Sequence, residues 1–282
     1  MATRLVLWDF DGTLADTGAD VWASLAYAAG RCGGKLPEGF VADDANLGVP
    51  MAEIFRRVEP FPGPGAFDRF DEDVRVHYRM INDYPRTRLY PGVLGLLGRL
   101  RRERIRSVIV TNKPRQALER LLEAKGWSSL FDGWITPDWP MSRLDGLADG
   151  GCVGGSGMGS DGMDKTTMIA RMIARFAATP AECVYVGDTW SDVVAAHANG
   201  VSCVAVTYGD GDTEALLARS PEHCVNDVGG VERVLLGADD GTRDDGLPDD
   251  VAAAAGAQTV MAVEPVARAA RVAKTARVAK PR

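Results

Sequence analysis

The 282-residue sequence has no apolar run approaching the ~18 residues that a membrane-spanning helix needs, which excludes an integral helical membrane protein. It also lacks a secretory leader. After Met1-Ala2-Thr3-Arg4 only Leu5 to Trp8 are apolar before Asp9, so the cytoplasm is the expected location. Five cysteines (Cys32, Cys152, Cys183, Cys203, Cys224) are odd in number and never form C-x-x-C. That supports neither a disulfide framework nor a cysteine zinc site. Histidine is scarce: His77, His197 and His223 fit no metal spacing, and each is expected to be structural or solvated. Positive charge is in deficit, with 32 Lys and Arg against 39 Asp and Glu, which argues against general nucleic-acid binding by the body of the protein.

What is present is the composition of a soluble globular protein, 46% hydrophobic and 25% charged, long enough for one large domain or a domain with a smaller insert. The charge is uneven. Residues 238–264 carry seven acids and one base, and residues 265–282 carry six bases and no acid. From residue 238 onward there is no aromatic side chain, so this stretch is expected to be a disordered tail, acidic then basic. Its basic end, 265–282, is a candidate for weak nucleic-acid contact, although a solvated appendage is the plainer reading. A second soft stretch, 146–162, has eight glycines in 17 residues. It precedes Lys165-Thr166, but Asp164 stands where a phosphate-binding P-loop needs glycine, so a flexible surface loop is expected instead.

Short apolar runs end in polar groups at regular intervals. Leu5–Trp8 ends at Asp9, Val108–Val110 at Thr111-Asn112, Cys183–Val186 at Gly187-Asp188, and Cys203–Val206 at Thr207. Each suits a strand buried on both faces, and a further strand is expected near Trp134-Ile135. Between them, helical spacing appears over 92–104, 115–125 and 165–178. The alternation predicts an α/β protein with a Rossmann-like parallel sheet. Residues 16–88 break it, with helical patterns near 19–31, 50–58 and 66–81 and no obvious strand, and predict a helical insert after the first strand.

Ligands bind outside the carboxyl ends of strands in such sheets. If the strands are neighbours, Asp9, Asp11, Asp188 and Asp192 converge. One Asp at a strand end is an ordinary cap, but four in one small volume call for a cation, and an all-oxygen donor set suggests Mg²⁺ rather than zinc.

Asp9-Phe10-Asp11-Gly12-Thr13-Leu14 resembles the first motif of the haloacid dehalogenase superfamily. Thr111-Asn112 resembles its second motif, Lys165 its third, and Gly187-Asp188-Thr189-Trp190-Ser191-Asp192 its fourth. The resemblance covers about residues 1–237, and the stretch from Val184 to Gly211 looks like the phosphoglycolate phosphatase branch. It implies a core of 1–15 and 89–237, with 16–88 as a helical cap. It also implies a phosphatase in which Asp9 is the nucleophile and Asp11 the general acid and base. Thr111, Asn112 and Gly12 would meet the phosphoryl group, and Lys165 would offset its charge. Mg²⁺ would be held through Asp9, Asp11 and Asp188, with Asp192 supporting the metal or Lys165. Gly48, in Leu47-Gly48-Val49-Pro50, resembles the cap loop that faces substrate; an ordinary helix-start turn is an equal reading. Arg56, Arg57 and Arg86 are further candidates for a substrate carboxylate, with nothing to select among them.

One departure is Lys165-Thr166 in place of the branch's usual Lys-Pro, which puts the lysine's register in question. Lys113 is the nearest alternative cation, and is expected to be a solvated helix-start lysine. Trp190 is expected either to wall the phosphate pocket or to pack. The resemblance implies a small phosphorylated metabolite as substrate. A dehalogenase has no use for Asp11, and a phosphonoacetaldehyde hydrolase needs an insert lysine where 16–88 has only Lys35. A sugar-phosphate mutase and a non-catalytic binding protein on the same scaffold remain as alternatives.

Overall fold

The computed structural model describes residues 2–139 and 162–237. The glycine-rich stretch 146–161 and the segment 238–282, with its candidate nucleic-acid contact, lie outside the described residues.

The first apolar run is strand β1 (Leu5–Trp8), and it sits inside a six-stranded sheet. Around it lie β4 (Arg106–Val110), β5 (Gly133–Ile135), β6 (Cys183–Gly187), β7 (Ser202–Val206) and β8 (His223–Val225) in the order β5-β4-β1-β6-β7-β8. Every pairing is parallel. The fold is therefore the expected α/β Rossmann-like sheet. Its strands read as unbroken apolar runs because both faces are covered. Val6, Trp8, Ile109, Val186, Val204 and Val206 face one core, under α5 (Val93–Arg102), α6 (Arg115–Ala124) and α10 (Val228–Leu236). Leu5, Leu7, Val108, Val110, Tyr185, Cys203 and Ala205 face the other, under α7 (Lys165–Arg175), α8 (Trp190–Ala198) and α9 (Thr213–Leu217).

Between β1 and β4 the chain forms α1 (Gly18–Arg31), α2 (Glu38–Val41), α3 (Met51–Arg56) and α4 (Phe67–Val76). These helices share a cluster of their own, built on Trp22, Leu25, Ile54, Phe55, Phe70 and Val74. A short antiparallel ribbon brackets them, with β2 (Ala15–Asp16) paired to β3 (Arg88–Leu89). The sequence reading finds no strand there, because two residues per strand are too few to show a period of two. The helical pattern read over 66–81 is there to its end but changes type. Helix α4 ends at Val76 and is followed by a π-helical turn, His77–Ile81. Asp20 in the first turn of α1 closes the base of this segment. Its Oδ2 accepts the backbone N–H groups of Arg86 (3.1 Å) and Thr87 (2.7 Å) and the Thr87 hydroxyl (2.7 Å). Among the described residues no helix is long and apolar enough to cross a membrane.

Candidate active site

Three strand ends meet at the site. The order β4-β1-β6 places Thr111, Asp9 and Asp188 side by side at the carboxyl edge of the sheet. Asp9 leaves β1 while its N–H still donates to Val186 O (2.9 Å). Asp9, Asp188 and Asp192 are all buried, and each offers an oxygen within 4.8 Å of the others.

Lys165 is the cation among them. It opens α7, which Asp164 caps by accepting the Thr167 N–H (2.7 Å). The lysine Nζ lies 3.2 Å from Asp9 Oδ2 and 2.6 Å from Asp192 Oδ1. Helix α7 thus delivers Lys165 to the site with threonine behind it in place of proline. Burial by itself lowers the lysine pKa, but Asp9 and Asp192 more than offset that and hold it above the ordinary value.

The four aspartates have different surroundings. Burial pushes Asp9 up to about 6 against the pull of Lys165, and the charges of Asp192 and Asp11 add to the rise. Among the described residues its Oδ1 is buried with no hydrogen-bond partner. Asp188 is pushed up to about 8 by burial and then by Asp9 and Asp192, although Thr13 Oγ1 and the Gly211 N–H donate to it. Asp192 is fully committed. Its Oδ1 accepts from Lys165 and from the Tyr185 hydroxyl (3.0 Å), and its Oδ2 from the Thr189 N–H (2.9 Å) and hydroxyl (2.6 Å). Asp11 is partly exposed, and its Oδ1 accepts from the Thr17 hydroxyl (2.6 Å) and Lys113 Nζ (2.6 Å). Gly12 has φ +74°, and a Cβ there would lie 2.2 Å from Asp188 Oδ2, so only glycine lets the turn after β1 approach β6 this closely.

The remaining expected residues divide. Thr111 is buried at the end of β4, where its Oγ1 accepts the Lys113 N–H (3.2 Å). Asn112 beside it is exposed. Gly48 is exposed at the end of a 3₁₀ turn in the helical segment, where a Cβ would meet nothing within 4 Å among the described residues. Trp190 is 47% exposed and carries Arg219 over its ring at 5.3 Å, so it does not fill a core. His77 accepts or donates a hydrogen bond with Ser24 (2.9 Å) and stacks on Tyr27, while His197 meets Glu222 at the surface.

The sequence profile of the haloacid dehalogenase-like hydrolases matches residues 3–200. The chain belongs to the haloacid dehalogenase-like hydrolase family. It is an enzyme of the hydrolase class, and it is similar to phosphoglycolate phosphatases. It is 28% identical to the Pseudomonas putida phosphoglycolate phosphatase over 80% of this chain and 77% of that protein. To the Synechococcus elongatus phosphoglycolate phosphatase it is 28% identical, over 78% of this chain and 91% of that one. It is likewise 28% identical to the tyrosine-protein kinase PtkA of Mycobacterium tuberculosis, across 74% of this chain and 63% of that protein. Among solved structures, a Clostridium difficile protein assigned as a phosphatase matches with TM-score 0.68 and 21% identity, covering 84% of this chain and all (100%) of that one. A Thermotoga maritima protein assigned as a β-phosphoglucomutase matches with TM-score 0.57 and 22% identity, over 83% of this chain and 97% of that one. At these identities the structures show the shared fold.

Two parts of this hydrolase site escape the sequence reading. Lys113, expected to be solvated, is 3% exposed and ion-paired to Asp11. The signal available was its place: three residues past the end of a central strand, inside the second motif's loop. The other part is the loop after β7. Asp210 and Gly211 N–H groups donate to Asp188 Oδ2 (3.2 and 3.1 Å), and the Tyr208 hydroxyl donates to Thr13 O (2.9 Å). A Cβ on Gly209 would fall 2.2 Å from Gly12 O, so the loop lies directly on the first motif. Only the glycine-aspartate alternation of 209–212 hints at this in the sequence.

Proposed function

We propose that this hydrolase is a Mg²⁺-dependent phosphatase that cleaves a small phosphate monoester of the phosphoglycolate class through an aspartyl-phosphate on Asp9. The observation that carries the reading is the asymmetry of Asp9. One oxygen is held by Lys165, and the other is buried at the end of the central strand with no hydrogen-bond partner among the described residues. An unpartnered buried carboxylate oxygen is costly in a purely structural role. It fits a group kept ready to meet a cation and a phosphoryl centre.

The same orphaned oxygen, with a donor set made of oxygen atoms alone, fits a hard divalent cation. Asp9, Asp188 and the Asp11 carbonyl would hold it, with Asp192 supporting through Lys165, to which it is already bonded. Mg²⁺ bound there supplies positive charge against the phosphoryl oxygens. Asp9 attacks phosphorus as the ester P–O bond breaks, and Asp11 gives its proton to the departing oxygen. Asp11 then takes a proton from the water that opens the aspartyl-phosphate, which frees inorganic phosphate and restores Asp9. Thr111, Asn112 and the backbone at Gly12 meet the phosphoryl oxygens, and Lys165 offsets their charge. Residues 16–88 act as a cap over the strand ends, with Gly48 on its substrate side, and exclude water during transfer. A closed chamber of this kind favours small esters. The phosphoglycolate phosphatases among the relatives support that class.

The test is phosphate release from phosphoglycolate, hexose phosphates, nucleoside monophosphates and a phosphopeptide, with and without Mg²⁺. Mg²⁺-dependent turnover with phosphoglycolate leading is the expected result. A phosphopeptide leading overturns the small-substrate reading. Isomerisation of β-glucose 1-phosphate faster than its hydrolysis replaces the phosphatase with a mutase. No turnover of any ester returns the chain to a binding role.

A further inference from the structure

Lys113 is a buried cation that the steps above do not use. It stands in the loop between β4 and α6, on the core side of the site. Its Nζ donates to Asp11 Oδ1 at 2.6 Å and to the phenol oxygen of Tyr78. It also lies 4.9 Å from the centre of the Tyr78 ring and 5.7 Å from that of Phe10. Tyr78 comes from the other side, from the π-helical turn 77–81 that ends α4. One ammonium therefore joins a residue of the helical segment to the carboxylate that follows the catalytic strand.

Both ends of this link are anchored. The Tyr84 hydroxyl donates to the Tyr78 backbone carbonyl, and the two rings meet edge to face at 5.8 Å. Tyr84 is fully buried, and its N–H donates to Asn82 Oδ1 (2.8 Å), while Asn82 Nδ2 donates to the Asp20 carbonyl (2.9 Å). On the other end, Lys113 and Thr17 bind the same oxygen of Asp11, so the carboxylate is oriented from one side while staying 38% exposed. A buried ion pair is weak support for a fold, since an apolar pair of equal volume does as well. Its placement on the acid–base group points to a role in the reaction.

We propose that Lys113 and Tyr78 are positioning residues for Asp11. The Tyr78 phenol holds the Lys113 ammonium against Asp11 Oδ1, so the acid–base carboxylate is fully oriented only while the turn 77–81 is seated on the core. This rests on the phosphatase reading and adds two residues that the motifs do not contain.

The experiment compares an alkyl ester, phosphoglycolate, with an aryl ester, p-nitrophenyl phosphate, both in excess Mg²⁺. The alkoxide needs a proton as it leaves, and the nitrophenolate does not. Lys113→Met and Tyr78→Phe are expected to lower the single-turnover rate of phosphoryl transfer from the alkyl ester to Asp9 by ~10- to 100-fold, the cost of a misplaced catalytic group. The ester concentration at half-maximal rate stays near wild type, and the rate of this first step with the aryl ester changes little; the later opening of the aspartyl-phosphate, which also uses Asp11, is common to both esters. Equal losses of the first-step rate on both esters overturn the proposal, because general damage to the site does not read the leaving group. An unchanged first-step rate on the alkyl ester overturns it too. Tyr78→Phe removes one oxygen and keeps the ring, so it decides the matter even if Lys113→Met does not fold. A wild-type protein silent on both esters sinks the phosphatase reading itself, and this inference with it. An active wild type with unselective variants sinks this inference alone.

Discussion

Asp9 holds two different environments in one carboxylate, with Lys165 at Oδ2 and, among the described residues, no hydrogen-bond partner at the buried Oδ1. Asp9→Asn is expected to abolish phosphate release, because an amide does not accept a phosphoryl group. Melting temperature and circular dichroism should stay near wild type, so normal activity in the pure variant removes Asp9 as nucleophile. Gly209 is the residue at which the loop after β7 touches the site. The Cβ of Gly209→Ala would come within 2.6 Å of Asp188 Oδ2 and within 2.2 Å of the backbone at Gly12, so the loop must shift and take its N–H donors away from Asp188. Outer-shell changes of this kind cost ~10- to 100-fold in metal affinity. Titration calorimetry with Mg²⁺ should show that weakening, and unaltered affinity would mean that the loop does not orient Asp188.

Among the elements, the short ribbon of β2 and β3 and the first turn of α1 control how the helical segment leaves and rejoins the sheet. Asp20 is the joint, since one of its oxygens accepts three hydrogen bonds from Arg86 and Thr87. Asp20→Ala leaves those donors without their acceptor, in a site that is 1% exposed. A loss of roughly 2–4 kcal/mol follows from buried donors stripped of a charged partner. Urea denaturation should show it as a lower midpoint, and a change below about 0.5 kcal/mol, the range of an ordinary surface substitution, would show that water replaces the carboxylate without cost. Helix α8 shows the same economy on the other side of the site. Asp192 caps it as the third residue of a capping box with Thr189 and also receives Lys165, so a helix start and a charge network share one carboxylate.

At the scale of the molecule, the sheet is covered on both faces, and among the described residues the last strand and helix are complete by Leu236. A chain ending at Gly237 is therefore expected to keep kcat and melting temperature. Residues 238–282 contain no aromatic side chain and a single leucine, too little apolar surface to add to a core. A large drop in either quantity would show that the segment supports the fold. If the full chain binds DNA, the affinity should vanish in the shortened chain and fall steeply with salt, as contacts from the six bases of 265–282 require.

The parallel sheet and its aspartates are legible in the sequence because both depend on short-range pattern. A strand buried on both faces must be apolar throughout, and Asp9, Asp11, Asp188 and Asp192 follow such strands at spacings of two and four residues. Lys165 is legible by its position before the fourth motif, and the fold brings it 3.2 Å from Asp9 and 2.6 Å from Asp192. Lys113, Tyr78, Asp20 and Gly209 carry no such local mark. Lys113 reads as a solvated helix-start lysine until Tyr78, 35 positions earlier, and Asp11, 102 positions earlier, are brought to its ammonium. Gly209 has no assigned role in the sequence until the folded loop after β7 lays its backbone on Gly12. Local periodicity and strand-end chemistry are written in neighbouring residues, so the sequence by itself determined the sheet and the acidic centre. The partners that orient that centre are set by contacts between distant segments, whose energies exist only after the chain has folded, and these the tertiary structure alone decided.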